Sequence, residues 1–279
     1  MQNLIKFLII AFIATAFVAC QDDDDDDKDP DVQENYYPMG DGSSWVYSVN
    51  EVDANNELSF LYFEKNMIDG QQTVDGKMTN VMKTYQAQST DGFGSSEDSK
   101  NYYYSENNKV YASIAYVEQL LTFESFGLSF PLNTEEKFVK LLDKGVDSWD
   151  VIEIPYNNLP IEYANTSLNF TGSIKLTAKS LGMKSYSNAE LSLAGEALAI
   201  EYSFVLSGNV SIAGFPAGTI SIGSKSEQWY MNNVGMVKRV DSAVSLDGTG
   251  TIQQFISQIE DIPGNTYELS SYVNTSIQM

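Results

Sequence analysis

The side chains that most often carry enzyme chemistry are scarce in this sequence. The 279 residues include no histidine and a single cysteine, Cys20. Histidine is the usual general base near neutral pH and the commonest metal ligand. Its absence excludes Ser-His-Asp and Cys-His hydrolases, HExxH metalloproteases and most zinc enzymes. The sequence therefore predicts no metal site, no cofactor and no catalysis that depends on an imidazole.

Carboxylates are the abundant reactive groups, with 38 Asp and Glu residues in the chain. Two carboxylates that meet in a fold can hydrolyse a glycosidic bond, so a carboxylate enzyme is one alternative. Glu135 and Glu136 are neighbours in sequence and would point to opposite faces of a strand. No SxxK, GxSxG, GxGxxG or GxxxxGK[ST] motif occurs. We therefore expect a protein that is not an enzyme, with no catalytic residues.

The segment before Cys20 has the features of an export signal. Residues 1–19 carry one charge, Lys6, and residues 7–18 are apolar except for Thr15. A membrane span needs about 20 apolar residues, whereas the apolar core of a signal peptide has about 7–15. The signal could be an ordinary one, cut after an alanine. An exported lone thiol without a disulfide partner favours a different purpose for the cysteine.

The four residues Phe17-Val18-Ala19-Cys20 resemble a bacterial lipobox, although Phe17 departs from the usual leucine. The resemblance implies that residues 1–19 are a lipoprotein signal peptide and that Cys20 is lipidated. Two or three acyl chains on one residue would anchor the chain stably in a bilayer. The predicted partners are then the lipid bilayer, through acylated Cys20, and the lipoprotein export machinery.

Six consecutive aspartates begin two residues after the cysteine. Residues 22–31 contain eight acids and one base, Lys28. Like charges at this density repel one another and stay out of a core. We therefore expect an acidic, disordered tether over residues 20–35. A calcium loop is a poor alternative, because consecutive aspartates lack the alternating spacing of such a loop.

The residues directly after the cysteine also resemble the surface-export signal of Bacteroidetes-type lipoproteins. This resemblance implies an outer-membrane protein that faces the cell exterior. The residues that carry it are Gln21, Asp22, Asp23 and Asp24.

The net charge of −22 argues against nucleic acid as a partner, since phosphates would be repelled. Beyond the tether we expect a single β-rich domain over residues 36–279. Its clearest element is Ser167–Lys179, where apolar and polar residues alternate, as in a half-buried antiparallel strand. The expected fold class is all-β, mainly antiparallel: a long-stranded curved sheet or half-barrel with one or two short helices.

Local signals predict how the strands are connected. Asn107 and Asn108 suit the tight turn of a hairpin, and the pair at 232–233 should break a long strand in two. Gly195 is the expected bulge where the apolar phase changes, and Gly208-Asn209 the expected turn or second bulge. Residues 134–142 fit a strand slightly better than a helix. Residues 251–261 place four apolar side chains on one face of a short helix.

Two short motifs resemble a group of uncharacterised bacterial lipoproteins. The first is Tyr37-Pro38-Met39 with Gly42 and Trp45-Val46-Tyr47; the second is Trp229-Tyr230 with Gly235-Met236-Val237-Lys238. Related domains of unknown function share the half-barrel of lipid and lipoprotein carriers such as LolA and LolB. The resemblance implies a fold more than a function. Gly235 is expected where the closing strand passes close to a neighbour.

A half-barrel with a helix over its mouth can enclose an apolar cavity. The predicted function is therefore a non-catalytic binding role, with a lipid-like or amphipathic ligand in the half-barrel. For each predicted lining residue, plain core packing is the alternative. The predicted lining residues are Leu168, Phe170, Ile174, Leu176, Tyr202, Phe204 and Leu206.

The alternative function is surface recognition of a glycan or a protein, as in an adhesin or a nutrient-uptake accessory. Tyr102, Tyr103 and Tyr104 cannot all face inward on a strand, so at least one is expected to be exposed. Exposed aromatic rings stack on sugars and anchor interfaces.

Ser242 is a candidate for O-glycosylation, because Asp241-Ser242-Ala243 matches the acid-Ser/Thr-apolar acceptor pattern of Bacteroidetes-type proteins. Ser242 shares its phase with apolar Met236 and Val240. This phase predicts an inward side chain, which argues against modification.

Overall fold

The computed structural model describes residues 34–53, 55–120, 130–132, 137–163, 166–257 and 262–275. Residues Asn35–Met279 form a compact unit distinct from Met1–Glu34. Its elements in chain order are β1 (Ser44–Val52), β2 (Leu58–Val74), β3 (Lys77–Ala87), β4 (Ser99–Glu106), β5 (Lys109–Ser113), α1 (Ile114–Leu120), β6 (Phe138–Asp143), β7 (Ser148–Tyr163), β8 (Thr166–Asn188), β9 (Leu193–Ile212), β10 (Phe215–Met231), β11 (Gly235–Asp241), β12 (Ser245–Gly248), α2 (Ile252–Ile256) and β13 (Gly264–Val273).

All the strands belong to one antiparallel sheet that curves until it nearly closes. Its strand order is β6-β5-β4-β3-β2-β1-β13-β11-β10-β9-β8-β7. Residues 226–231 of β10 pair with β11, and residues 220–223 of the same strand pair with β12. The expected all-β fold with a long-stranded curved sheet is therefore confirmed.

The two edge strands, β6 and β7, meet at a seam that the ladder does not cross. Trp149 on β7 donates its indole N–H to the Lys140 carbonyl on β6 over 3.0 Å. From the interior, the Tyr202 hydroxyl donates to the Leu141 carbonyl over 2.8 Å. Side chains rather than backbone pairing thus close the sheet.

Strand β8 shows why these sequences form long strands. Leu168, Phe170, Ile174 and Leu176 are at most 4% exposed, whereas Thr171 between them is exposed. A period of two places one row of side chains in the core and the other in solvent. The predicted strand over residues 167–179 is confirmed and extends to Asn188.

Phe170 occupies the interior against two glycines that face each other across β8 and β9. Gly172 pairs with Gly208, and a Cβ on Gly208 would lie 2.6 Å from Phe170 Cε2. The absence of side chains on Gly172 and Gly208 therefore leaves space for the Phe170 ring. Gly208 lies inside β9, so the turn or second bulge expected there is wrong.

Other local predictions are confirmed. Asn107 and Asn108 have φ angles of 53° and 59° and turn the chain from β4 to β5. The break between β10 and β11 falls at the predicted asparagine pair, with Asn233 at φ 59°. Residues 138–143 are a strand, as favoured over a helix. Of the helix predicted over residues 251–261, residues 252–256 are helical and pack on β10 and β12, and residues 258–261 lie outside the described residues.

The predicted bulge at Gly195 is wrong. Residues 189–192 form a turn, and β9 starts at Leu193. The change in the phase of the apolar residues therefore marks the end of a turn and the start of a strand, not a bulge within a strand. The register shift between β8 and β9 lies instead between Ser180 and Gly182. Helix α1 was not predicted either, since its apolar residues follow directly on a strand pattern.

Within the part of the chain that the structure describes, no helix is long and apolar enough to cross a membrane. The predicted signal peptide, lipidated Cys20 and the surface-export residues 21–24 lie outside the described residues.

Candidate ligand-binding cavity

The curved sheet encloses a cavity of about 490 Å³. Its walls come from both halves of the sheet, from β1 to β4 on one side and from β8 to β11 and β13 on the other. Gln86, Asp98, Lys225 and Ser242 belong to the lining and are also exposed. These exposed residues mark the mouth of the cavity.

Six tyrosines form an aromatic part of the cavity lining, which we call the tyrosine floor. Tyr37 stacks on Tyr103 with ring centroids 5.4 Å apart, and Tyr116 meets Tyr103 edge-on at 5.7 Å. The members are Tyr37, Tyr47, Tyr103, Tyr116, Tyr202 and Tyr230, and all six line the cavity. Offset and edge-on rings pack well while they keep their hydroxyls free to bond.

The hydroxyls of the tyrosine floor are held by hydrogen bonds. Tyr47 donates to the Met236 carbonyl over 3.1 Å, and Tyr230 donates to Gln228 Oε1 over 2.5 Å. Burial raises the pKa of Tyr47, Tyr103 and Tyr202 well above the ordinary value. These phenols therefore stay protonated and neutral at any physiological pH.

The single arginine of the chain, Arg239, lines the cavity. Its Nε lies 2.8 Å from Asp241 Oδ1 and its Nη2 lies 2.7 Å from Asp241 Oδ2. Its guanidinium carbon is 4.6 Å from the ring centroid of Tyr267, the residue that pairs with Arg239 across β11 and β13. The guanidinium is therefore held by two contacts with the Asp241 carboxylate and by the Tyr267 ring. The two N–H donors of a guanidinium match the two oxygens of a carboxylate in geometry.

Glu64 is a carboxylate in the same cavity without an ion-pair partner among the described residues. Its Oε1 accepts from Asn66 Nδ2 over 3.1 Å. Thr84 donates to Asn66 Oδ1 over 2.7 Å and so orients that amide. Burial raises the pKa of the Glu64 carboxyl, although the nearby Arg239 guanidinium lowers it. Glu64 pairs with Tyr47 of β1 in the ladder, which places it beside this member of the tyrosine floor.

The predicted lining residues divide into two groups. Leu176, Tyr202 and Phe204 line the cavity. The other four are absent from its wall and are at most 4% exposed, which is the core packing that was the alternative for each. These four are Leu168, Phe170, Ile174 and Leu206. Phe170 also packs edge-on against Phe130 at 5.2 Å.

The motif residues take different faces of the sheet. Trp45 is buried, and its indole N–H donates to the Val234 carbonyl over 2.5 Å. Gly235 has φ +102°, and a Cβ there would lie 2.8 Å from Trp45 Nε1. The predicted close approach at Gly235 is therefore confirmed. Trp229 lies instead beside Lys184 and Lys238, whose Nζ atoms are 5.2 and 5.7 Å from its ring centroid.

The three consecutive tyrosines are arranged as alternation requires, with Tyr103 buried and its two neighbours half-buried. The three side chains do not all face inward, as expected, but Tyr102 and Tyr104 are half-buried rather than exposed. Tyr104 stacks on Tyr111 with centroids 4.7 Å apart and an interplanar angle of 5°. Phe138 meets Tyr104 edge-on at 5.1 Å. We call Tyr104, Tyr111 and Phe138 the outer ring cluster.

Ser242 is exposed, so its predicted inward orientation is wrong. Strand β11 ends at Asp241, and the strand phase does not continue to Ser242. The Ser242 hydroxyl accepts from the Lys225 backbone N–H over 2.9 Å. Glycosylation at this position stays a prediction.

Sequence reasoning missed Glu64, Arg239 and Asp241. Glu64 and Asp241 are two of the three carboxylates that line the cavity, and the third is Asp98. One signal was available, because a single arginine among 15 lysines is an unusual choice and arginine suits buried ion pairs better than lysine. Among the described residues no group of three or more His, Cys, Asp or Glu could hold a metal ion.

No family model matches the chain, and no curated protein matches it. Two crystal structures are similar to it. One is a protein of Bacteroides fragilis NCTC 9343 that is assigned as exported and has a YmcC-like fold; the other is a protein of Parabacteroides distasonis ATCC 8503 that is assigned as a lipoprotein. Each is 10% identical, with a TM-score of 0.44 over 86% of this chain and 99% of its own. Similarity this low assigns neither a family nor a function to the chain.

Proposed function

We propose that this chain is a lipid-anchored lipoprotein of the outer membrane, facing the cell exterior, that binds an amphipathic ligand without catalysis. The observation that carries the binding role is the cavity of about 490 Å³ inside the curved sheet. Ligand pockets commonly have volumes of about 300–1,000 Å³, with apolar and aromatic walls and a few placed polar groups. The anchor and the location rest on the resemblances around Cys20.

The distribution of polar groups supports an amphipathic ligand. The inner part of the wall is aromatic and aliphatic, with the tyrosine floor, Leu176 and Phe204. The charged groups Glu64, Arg239 and Asp241 line the same cavity, and its exposed mouth residues are polar. A ligand with one apolar and one polar end would satisfy both parts.

A non-catalytic role agrees with the state of Asp241, one of the three carboxylates in the cavity lining. Asp241 is committed to Arg239 through both of its oxygens. A glycosidase needs one carboxylic acid and one free carboxylate on opposite sides of the bond that it cleaves. Asp241 would have to break a bidentate ion pair to act in this way.

Native mass spectrometry tests the binding role. The chain from residue 34 onward would be produced in a bacterium of its own type and measured before and after organic extraction. We expect an additional mass of lipid size that extraction removes. A clean apo mass in both samples would contradict the proposal.

Two variants on one strand sharpen this test. Phe204→Ala removes a ring from the cavity wall, whereas Val205→Ala removes a 40% exposed side chain next to it. We expect Phe204→Ala to reduce the ligand-bound fraction and Val205→Ala to preserve it. Equal retention by both variants, with both folded by circular dichroism, would place the ligand elsewhere.

Recognition of a surface glycan is the second candidate function, and the outer ring cluster favours it. Its rings lie on the strand face opposite to buried Tyr103, and Lys77 Nζ lies 5.2 Å from the Tyr104 centroid. Aromatic rings next to polar groups are suited to sugars. A glycan array probed with wild type and Tyr111→Ala would detect this role.

A further inference from the structure

The charges in the cavity are unbalanced in a way that points to the headgroup of a ligand. The lining contains three carboxylates and two cations. Asp241 neutralises Arg239. Lys225 Nζ lies 3.1 Å from Glu201 Oε1, on a residue outside the lining. Both cations therefore have a carboxylate partner. Two of the three carboxylates in the lining, Glu64 and Asp98, are not paired with a cation of the lining.

Glu64 is the carboxylate that this arrangement leaves without a cation. The other leftover acid, Asp98, is exposed at the mouth and accepts from the Gln86 backbone N–H over 2.5 Å. Glu64 lies deeper and accepts a hydrogen bond only from a neutral amide among the described residues, that of Asn66. A partly buried carboxylate pays a desolvation penalty that a cationic partner offsets.

We infer that the cavity selects an amphiphile with a cationic headgroup, an ammonium or quaternary ammonium, and that Glu64 is the anion that contacts it. This inference rests on the proposed binding role and names the ligand class for the same cavity. An anionic headgroup would be repelled by Glu64 and Asp241. The Arg239 guanidinium, which could attract it, is already paired with Asp241 through two contacts. Tyrosine rings line the same cavity, and a cation over the face of such a ring is attracted to it, because the π face is negative.

The groups that surround Glu64 decide how its charge depends on pH. Burial raises its pKa, so the carboxyl becomes neutral at a higher pH than an exposed glutamate does. The tyrosines around it stay neutral near pH 7, because burial raises the pKa of each. The titratable and charged groups that face Glu64 are Tyr47, Tyr62, Asp98, Tyr116, Arg239, Asp241 and Tyr267.

Three octyl amphiphiles that differ in headgroup test the inference: octyltrimethylammonium, octanoate and octyl glucoside. Calorimetric titration would use the full acylated chain in lipid nanodiscs, with empty nanodiscs as the blank. We expect the cation to bind at least about tenfold more tightly than octanoate, since a matched charge pair in a desolvated site contributes at least that factor. Its affinity should fall as the pH is lowered through the pKa of Glu64.

The variant Glu64→Gln keeps the shape and removes the charge. It should reduce the affinity for octyltrimethylammonium about tenfold and leave octyl glucoside unchanged. Glu190→Gln is the matched control, because Glu190 is an exposed acid in the turn before β9 and outside the cavity lining. A similar loss in both variants would assign the selectivity to net charge and overturn the role of Glu64.

The outcomes separate this inference from the proposed function. Equal affinity for all three headgroups would overturn the cationic selectivity and leave the binding role standing. Tighter binding of octanoate would overturn it too, and would assign the headgroup site to Arg239. Failure of all three to bind, together with a clean apo mass, would overturn both.

Discussion

At the scale of single residues, the cavity holds groups whose placement costs stability. Glu64 has a raised pKa because the fold buries it, so its ionised form is less favourable in the folded state than in the unfolded chain. A core without a ligand would be more stable with a neutral residue at this position. Costly groups of this kind concentrate at functional sites, which supports the role inferred for Glu64.

The stability of Glu64→Gln provides the first residue-scale prediction. The folded-state pKa of Glu64 is raised, so the folded state binds its proton more tightly than the unfolded state does. Its destabilising effect is therefore complete above the folded pKa, shrinks as the pH falls below that value, and is gone below the pKa of the unfolded chain. We expect Glu64→Gln to unfold at a higher temperature than wild type at pH 7, with a difference that shrinks on acidification. A constant difference, or one as large in Glu190→Gln, would contradict this.

Phe170 gives the second residue-scale prediction, through the glycine beneath it. In Gly208→Ala the new Cβ would lie 2.5 Å from the Thr171 carbonyl oxygen and 2.6 Å from the Phe170 ring. Overpacking of this kind costs about 1–3 kcal/mol of unfolding free energy, measurable by urea denaturation.

Gly223→Ala is the control for this effect. Gly223 also lies inside a strand, and its nearest contact would be the rotatable Ser245 hydroxyl at 3.1 Å. We expect a change within about 1 kcal/mol for this variant, of either sign. Equal losses in the two variants would show that strand flexibility matters here rather than the ring.

At the scale of elements, the sequence predicted what is local and missed what is assembled through space. The alternation in β8 and the asparagine turn before β5 are local signals, and both appear in the fold as expected. The prediction of a bulge at Gly195 was wrong because a bulge and a turn produce the same change in the phase of apolar residues along the sequence. Glu64 on β2 and Arg239 on β11 line the same cavity because the sheet places β1 and β13 between those two strands. No local pattern in the sequence contains this strand order.

The seam between β6 and β7 yields a prediction at this scale. Tyr202→Phe deletes the hydroxyl that the Leu141 carbonyl accepts. One such bond contributes about 0.5–1.5 kcal/mol, and its loss should fall mainly on β6, which pairs with the rest of the sheet only through β5. Amide hydrogen exchange should quicken in β6 and stay unchanged in β2.

Tyr111→Phe is the matched control for the seam, because it removes a hydroxyl from the outer ring cluster and keeps the ring stacked on Tyr104. Faster exchange in β6 in both variants, or a uniform change across the sheet in Tyr202→Phe, would argue against a local role for the Tyr202 bond.

At the scale of the whole molecule, the predicted anchor and the acidic run have separable effects. Cys20→Ser removes the only thiol, and we expect the variant to lose incorporation of labelled fatty acid. Replacement of Asp22, Asp23 and Asp24 by alanine should preserve acylation and abolish access of an external protease to the chain in intact cells. Acylation without Cys20, or unchanged protease access in the alanine variant, would overturn the corresponding assignment.

The position of β1 has a consequence for how the chain is made. β1 pairs with β13 in the middle of the sheet, so Ser44 lies opposite Val273, more than 200 residues later in synthesis. The central ladder cannot form until nearly all of the chain has been delivered, and pairings this distant in sequence fold slowly. Until then, one long edge of β1 is open to other chains. The same interval applies to a chain that crosses a membrane unfolded with its amino terminus first, because β1 then also arrives long before β13.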